Sequence, residues 1–405
     1  MNSFTDSPLR LIARKQMLVD LLDKLCQNLE VSPSEYLKAK KSYQAVGEWL
    51  IGSNNPLLNE IIVYPHGSIA LGTAIKPVGR NDFDVDLVSH LPTSNHLSDP
   101  FLIKQAIGDR LYEHGTYRNM LEEKQRCWRL NYENEFHMDI TPSVINPLCK
   151  NGGELVPDKQ LSSWKPTNPK GYINQFQTYA TMSPAWTTFD SAEYAEARGE
   201  ILPLPNQEPS KPILNRIVQL LKRHRDHTFI GTPQEDFAPI SIIITTLASW
   251  AYVACIKERK FVDHYDLILE VIRKMPTFIT KEYENGRLIY SIPNETTTGE
   301  NFADKWSRNQ QLPYWFFDWH KKALLTFEEL LETDGLDRIV ESISNEFSAP
   351  HATVQATLDS YMQGVNRARE NHSLRVNKSI GILSTPSSLS SVIVPQNTFF
   401  GRPLP

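Results

Sequence analysis

The stretch from His66 to Val88, HGSIALGTAIKPVGRNDFDVDLV, constrains the fold more than any other part of this chain. Within it Phe83, Val85 and Leu87 alternate with Asp82, Asp84 and Asp86. A period of two specifies a strand with one apolar face and one acidic face. Alternate residues on one face lie roughly 6.5–7 Å apart, so neighbouring carboxylates of this set can share two divalent ions. Hard Mg²⁺ takes carboxylate and phosphate oxygens readily. Two such ions about 3.5–4 Å apart clamp the attacking and leaving oxygens of a phosphoryl transfer. The sequence leaves two metal pairs open, Asp82/Asp84 and Asp84/Asp86. Upstream, Ile61 to Pro65 is a short apolar run of strand type that stops at His66-Gly67-Ser68. A Gly-Ser turn offers backbone N–H groups and a hydroxyl to phosphate oxygens. Gly72, Pro77 and Gly79 mark the loop between the two strands.

A chain of 405 residues holds one large or two ordinary domains. Its formal net charge of −5 supplies no global basic field for a long nucleic acid. Cys26, Cys127, Cys149 and Cys255 have no CxxC spacing and read as free thiols. Residues 1–16 are charged and lack the apolar core of a signal peptide. The most apolar stretch, Ala238 to Ile256, is interrupted by Pro239, Ser241, Thr245, Thr246 and Ser249. It reads as a buried core helix, and the expectation is a cytoplasmic protein without a membrane partner. Walker, zinc and GxSxG patterns are missing, as are internal repeats.

Apolar spacing predicts helices over 9–31 and 35–51, the second capped by Ser32 or Ser34, and another over 100–111. Arg129 to Tyr132 and Phe136 to Ile140 form an expected hairpin. On its second strand His137, Asp139 and Thr141 share the polar face. Residues 150–212 are rich in Pro, Asn, Ser and Gly and read as loops with short helices, with a domain junction at 203–211. Pro212 opens a helix with Ile213, Ile217, Leu220 and Leu221 on one face and Arg216, Lys222, Arg223 and Arg225 as a basic complement. The chain to 370 then reads as further helices. In ENFADKW, Phe302 and Trp306 stand at i, i+4 and suit core packing. The Ser- and Pro-rich tail keeps enough apolar residues to lie against the body.

The order Gly67-Ser68, Gly72-Thr73, then Asp84-Val85-Asp86-Leu87-Val88 resembles the nucleotidyltransferase superfamily that shares its core with DNA polymerase beta. GSIALGTAIKP followed by DFDVDLV is similar to the cGAS/DncV-like nucleotidyltransferases, bacterial enzymes that make cyclic nucleotide signals in anti-phage defence. The resemblance implies an α/β (α+β) protein. It would have a polymerase-beta-like mixed-sheet core over 1–205, a helical, oligoadenylate-synthase-like domain over 206–372, and a packed tail over 373–405. It favours Asp84 and Asp86 as the metal pair, because Asp86 runs directly into Leu87-Val88. It assigns Asp139, in FHMDITP, as the third carboxylate and general base, with His137 a neighbour. It also implies that Gly67 and Ser68 hold a triphosphate. Lys222 reaches its tail from the first helix of the second domain, with Arg223 or Arg225 as substitutes. The implied reaction joins NTPs, ATP among them and GTP a further candidate, with two Mg²⁺ (Mn²⁺ substituting). The cyclic di- or oligonucleotide product would act on a separate effector, and an activating protein partner fits the same pattern. Rival readings are transfer of one nucleotide to a protein, RNA end or small molecule, and a non-catalytic nucleotide sensor.

Overall fold

The computed structural model describes residues 8–79, 83–92, 98–133, 135–158, 160–187, 211–370, 375–377, 381–383 and 392–393. Two amphipathic helices, α1 (Pro8–Leu29) and α2 (Pro33–Ile51), open it. Ser32, not Ser34, caps α2: its hydroxyl accepts from Glu35 N–H, while the Glu35 carboxylate accepts from Ser32 N–H at 2.8 Å. That reciprocal box, with Pro33 in the first turn, sets where α2 starts.

The sheet is built from β1 (Ile62–His66), β2 (Phe83–Leu91), β3 (Leu121–Glu123), β4 (Trp128–Tyr132), β5 (Phe136–Ile145), β6 (Glu154–Pro157) and β7 (Trp164–Thr167). Its order is β1-β2-β5-β4-β3, with β6 continuing from β5 and β7 pairing β6. Only β2 and β5 run parallel; the other pairs are antiparallel, so the sheet is mixed. The crossover from β2 to β5 includes α4 (Pro100–Glu113), whose Ile103, Ile107 and Leu111 cover one face of the sheet. Onto that face point Phe83, Val85 and Leu87 from β2 and Phe136, Met138 and Ile140 from β5, all buried. Each such side chain contributes about 1.5–3 kcal/mol by leaving water. A slip of one residue would turn the aspartates inward, so this burial also fixes the register.

A second and larger core is helical. Its helices are α6 (Pro169–Thr181), α7 (Ile213–Phe229), α8 (Ser241–Glu258), α9 (His264–Lys274), α10 (Gln311–Glu332), α11 (Leu336–Glu346) and α12 (His351–Glu370). α8 is buried along most of its length, and no helix of the described residues is long and apolar enough to cross a membrane. Phe302 and Trp306 pack into this core, Trp306 against Phe316 with ring centroids 5.2 Å apart. Packing does not follow chain order, because Leu18, Leu21, Leu22 and Leu25 of α1 and Tyr172 and Phe176 of α6 belong to the helical core. Arg216 ties α1 to α7 through Asp23 and Glu30, each at 2.6 Å. The expected junction at 203–211 lies, except for Lys211, outside the described residues.

Sequence reading missed two pairs of strands. β6 and β7 fall in the stretch read as loops; each is four residues long and contains a proline, which hides a strand pattern. In the domain read as all helix, β8 (Thr280–Glu284) and β9 (Arg287–Ser291) form a hairpin. All of β8 is exposed, so it has no apolar alternation. The legible signal was the turn: Asn285 and Gly286 both take positive φ, 49° and 76°, as a tight hairpin turn requires. In the tail, β10 (Arg375–Asn377), β11 (Gly381–Leu383) and β12 (Val392–Ile393) form a small sheet, and β11 lies beside α1.

Candidate active site

Strand pairing brings the acidic face together. His66, at the end of β1, stands opposite Asp86; Asp86 is level with Asp139 across the parallel β2–β5 pair; Asp84 is level with His137. Immediately after His66 the chain turns at Gly67, with φ +64°, into a single helical turn, α3 (Gly67–Ala70). A Cβ on Gly67 would lie 1.9 Å from Asp86 Oδ2, so glycine is required for both conformation and space. The backbone of the Gly-Ser turn and the Asp86 carboxylate are therefore in direct contact.

Burial raises the Asp86 pKa to about 6, and the charges of Asp84 and Asp139 add to the rise. The Asp84 carboxylate faces the solvent side of the cleft; its pKa is also raised, by desolvation first, with Arg129 opposing. Arg129 lies opposite Asp139 on β4. Its Nε donates to Asp139 Oδ1 at 2.6 Å and its Nη2 to Oδ2 at 2.8 Å, while Asp84 Oδ1 lies 3.7 Å from Nη2. Consequently the three aspartates share a face, but no group of three acids among the described residues is preassembled as an ion site. Mutual repulsion and the two-pronged guanidinium account for this: Asp139 is turned to Arg129 instead of to its fellow acids.

The opposite wall is α7. Lys222 is buried, its Nζ donates to the Thr73 carbonyl at 2.9 Å, and it lines the same cleft as Gly67, Ser68, Asp84, Asp86 and Asp139. Burial pushes its pKa down to about 8, helped by the charge of Arg225. Of the two substitutes, Arg225 also lines the cleft, with its guanidinium on Asp226 and the Pro239 carbonyl. Arg223 is excluded: it faces away and holds the carbonyls of Phe347, Ser348 and Lys76. Asp82, the other candidate for the metal pair, lies outside the described residues.

The cleft between sheet and helices has a volume of about 1020 Å³, at the upper end of the range for small-molecule sites. Sequence reading missed several of its groups. Arg129 was legible in principle, since in Trp128-Arg129-Leu130 it alternates onto the polar face across a hairpin from Asp139. Arg126, in the β3–β4 turn, carries no local pattern, and Glu300 opens the ENFADKW stretch, whose legible pattern is one of packing and not of the cleft; both line the cleft through the tertiary fold. Behind β1 the buried Glu154 accepts from Tyr64 Oη at 2.7 Å and Ser143 Oγ at 2.6 Å, which pins β1, β5 and β6 beneath the site.

A mixed sheet bearing three aspartates, a Gly-Ser turn packed on one of them and a helical lobe closing the cleft together have the architecture of a polymerase-beta-like nucleotidyltransferase fold. Residues 17–179 match the family model of the second messenger oligonucleotide or dinucleotide synthetase domain. The chain is 27% identical over 395 residues to a c-di-GMP synthase of Roseivirga ehrenbergii, covering 96% of this chain and 98% of that one. The cyclic dinucleotide synthase CdnG of Bradyrhizobium diazoefficiens is 24% identical over 310 residues, which cover 72% of this chain and 70% of CdnG. The solved structure of that CdnG in complex with GTP aligns with a TM-score of 0.61 at 20% identity, over 85% of this chain and 98% of CdnG. The complex of E. coli MS115-1 CdnC with HORMA-deltaN aligns at TM-score 0.56 and 12% identity, over 85% and 97%. The chain is thus similar over a family domain at 17–179, and along most of its length, to proteins named as cyclic dinucleotide synthases.

Proposed function

We propose that this protein joins nucleoside triphosphates, GTP among them, into a cyclic di- or oligonucleotide second messenger, releasing pyrophosphate. The observation that carries the reading is the contact of Gly67 with Asp86, which fixes a phosphate-binding turn against a carboxylate in a cleft closed by Lys222. The names of the relatives support the cyclic product, and guanine enters from the c-di-GMP synthase. In this reading the Gly67 and Ser68 turn and Lys222 hold the triphosphate.

The donor set suits a hard divalent cation, since Asp84, Asp86 and Asp139 offer only carboxylate oxygens and Asp86 is raised by burial beside its fellow acids. Asp84 and Asp86 would hold Mg²⁺, with Asp139 completing the set. When bound, such ions would neutralise charge on the phosphoryl oxygens and lower the pKa of the attacking hydroxyl. Asp139, freed from Arg129, accepts the proton of the attacking 3′- or 2′-hydroxyl. Attack on an α-phosphate expels pyrophosphate, and a second round on the reversed linear intermediate closes the ring. A cytoplasmic place, a role in anti-phage defence, a separate effector for the product and an activating protein partner complete the proposal. A protein of similar fold, CdnC, is found in a complex with HORMA-deltaN.

The test incubates the purified protein with each labelled NTP and with all four, plus Mg²⁺ or Mn²⁺, followed by phosphatase and mass spectrometry. A resistant cyclic product that disappears in Asp84→Ala/Asp86→Ala is expected. If lysate is added and label moves to protein or RNA, the reading falls.

A further inference from the structure

The segment from Gly67 to Lys76 begins against Asp86 of the sheet and is received at its other end by α7 of the helical lobe. Lys222 and Arg223 take the carbonyls of Thr73 and Lys76. Earlier on the same helix, Gln219 Nε2 donates to the Ala74 carbonyl at 3.2 Å. Asn215 Nδ2 donates to the Leu71 carbonyl at 2.9 Å and to that of Gly72 at 3.4 Å. The spacing of these four residues puts them on one face of α7. Asn215 differs from the others in what lies behind its carbonyls. A trans peptide is planar, so its N–H points away from its C=O. The peptide plane of the Leu71 carbonyl carries the Gly72 N–H, which donates to the Ile69 carbonyl at 3.1 Å. The plane of the Gly72 carbonyl carries the Thr73 N–H, which donates to the Ser68 carbonyl at 2.9 Å. One amide group on α7 therefore holds two residues of the Gly-Ser turn through two peptide planes. By contrast, the plane that Arg223 holds ends on Pro77 and has no N–H to hand on.

Two further observations show that the side chain is placed for this contact. Asn215 is buried, and its Oδ1 has no hydrogen-bond partner. Turning the amide over would set Oδ1 against two carbonyl oxygens, so Nδ2 is the atom the loop requires, and the unpaired acceptor is a cost carried for it. Gly72 takes φ +67°, and a Cβ on it would lie 3.2 Å from Asn215 Nδ2, so loop and amide approach more closely than a larger residue permits.

We infer that Asn215 is a positioning residue for triphosphate binding: from the helical lobe it fixes the Ser68 side of the turn, while Asp86 fixes the Gly67 side from the sheet. The inference rests on the proposed nucleotide-joining function but is tested by binding, without turnover. Affinity for tripolyphosphate with Mg²⁺ is measured by calorimetry, and amide hydrogen exchange by NMR, for the intact chain and for Asn215→Leu, Gly72→Ala and Gly79→Ala. Asn215→Leu keeps the shape and removes the donor, and Gly72→Ala crowds the same amide from the loop. Gly79→Ala, at φ +68° with nothing within 4 Å of its added Cβ, carries backbone strain alone. Asn215→Leu and Gly72→Ala should each lose affinity by about 10-fold, the worth of one hydrogen bond. The Gly72 and Thr73 amides should exchange faster in both, and Gly79→Ala should bind as the intact chain does. Unchanged affinity in a folded Asn215→Leu would mean that Asn215 only ties the lobes together, which overturns the inference. Weaker binding without faster exchange at Gly72 and Thr73 also overturns it, because the effect would not pass through the two peptide planes. If melting shows that Asn215→Leu does not fold, Gly72→Ala against Gly79→Ala decides, and equal affinity in those two overturns the inference. Each of these results leaves nucleotide joining intact, whereas failure of the intact chain to bind tripolyphosphate defeats the phosphate role of the turn as well.

Discussion

Gly67→Ala tests the contact on which the site is built. Two effects are superposed at this position. The first is backbone strain, because an L-residue at φ +64° costs on the order of 1–2 kcal/mol. The second is collision: the new methyl would stand 1.9 Å from Asp86 Oδ2 and 2.7 Å from its Cγ, whereas ordinary contact begins at 3.4 Å. The carboxylate, or the turn, must retreat by about 1.5 Å, and a misplacement of about 1 Å can cost roughly 100-fold in rate. Gly79→Ala separates the two effects, since Gly79 has φ +68° but nothing within 4 Å of its added Cβ. Both variants should lose stability in thermal denaturation through the shared strain, Gly67→Ala the more because of its collision. Only Gly67→Ala should lose product formation, by about 100-fold, together with Mn²⁺ affinity read by electron paramagnetic resonance. If the two variants keep equal activity, the packing of Gly67 on Asp86 is not what organises this site.

Three further outcomes follow from the charges. Asp86 has a folded pKa raised to about 6, so its contribution is intact below the unfolded value and is lost as pH rises through 6. Metal-free Asp86→Asn should therefore be more stable than wild type at pH 7, by on the order of 1–3 kcal/mol in denaturant titrations, and inactive. Arg129→Gln removes both bonds to Asp139; the metal-free protein should lose on the order of 1–3 kcal/mol, and Mg²⁺ should raise its melting temperature more than that of wild type. Lys222, pushed down to about 8, binds fewer protons folded than unfolded, so its share of stability rises with pH from about 8 toward its unfolded value. Triphosphate affinity without metal should fall over the same rise, and Lys222→Met should abolish that dependence in calorimetry.

The fold was legible where a single pattern served both local structure and burial. Alternation in 83–91 gave β2, its faces and its acids together, because the apolar half of the same strand fills the core. FHMDITP gave β5 for the same reason. The helix from Pro212 was legible, and Lys222 followed from the family resemblance, not from the pattern of the helix itself. Lys222, Arg223 and Arg225 span one turn and share a composition, and only the packing of α7 against Thr73 on one side and Phe347 on another sorts them. β6, β7 and β8 were hidden because proline or full exposure removes the alternation that marks a strand. Arg126 and Glu300, 174 residues apart in number, line one cleft through tertiary structure alone.

The state of the carboxylates has a consequence for how substrate enters. Asp84, Asp86 and Asp139 face a cleft whose nearest cations are Arg129, already bonded to Asp139, and Lys222, bonded to Thr73. Two like charges about 4 Å apart repel by roughly 4 kcal/mol at an effective dielectric of 20, so a bare triphosphate placed beside Asp84 and Asp86 is opposed by their charge. The acids alone are also a poor trap for a free cation, because Asp86 is partly protonated near pH 6 and Asp139 is turned to Arg129. On the proposed reading, triphosphate and divalent cation would each remove the obstacle to the other, and their binding is expected to be cooperative. On the proposed reading the Gly67 contact with Asp86 would transmit that cooperativity, since the turn proposed to receive phosphate packs directly on the carboxylate proposed to receive the cation.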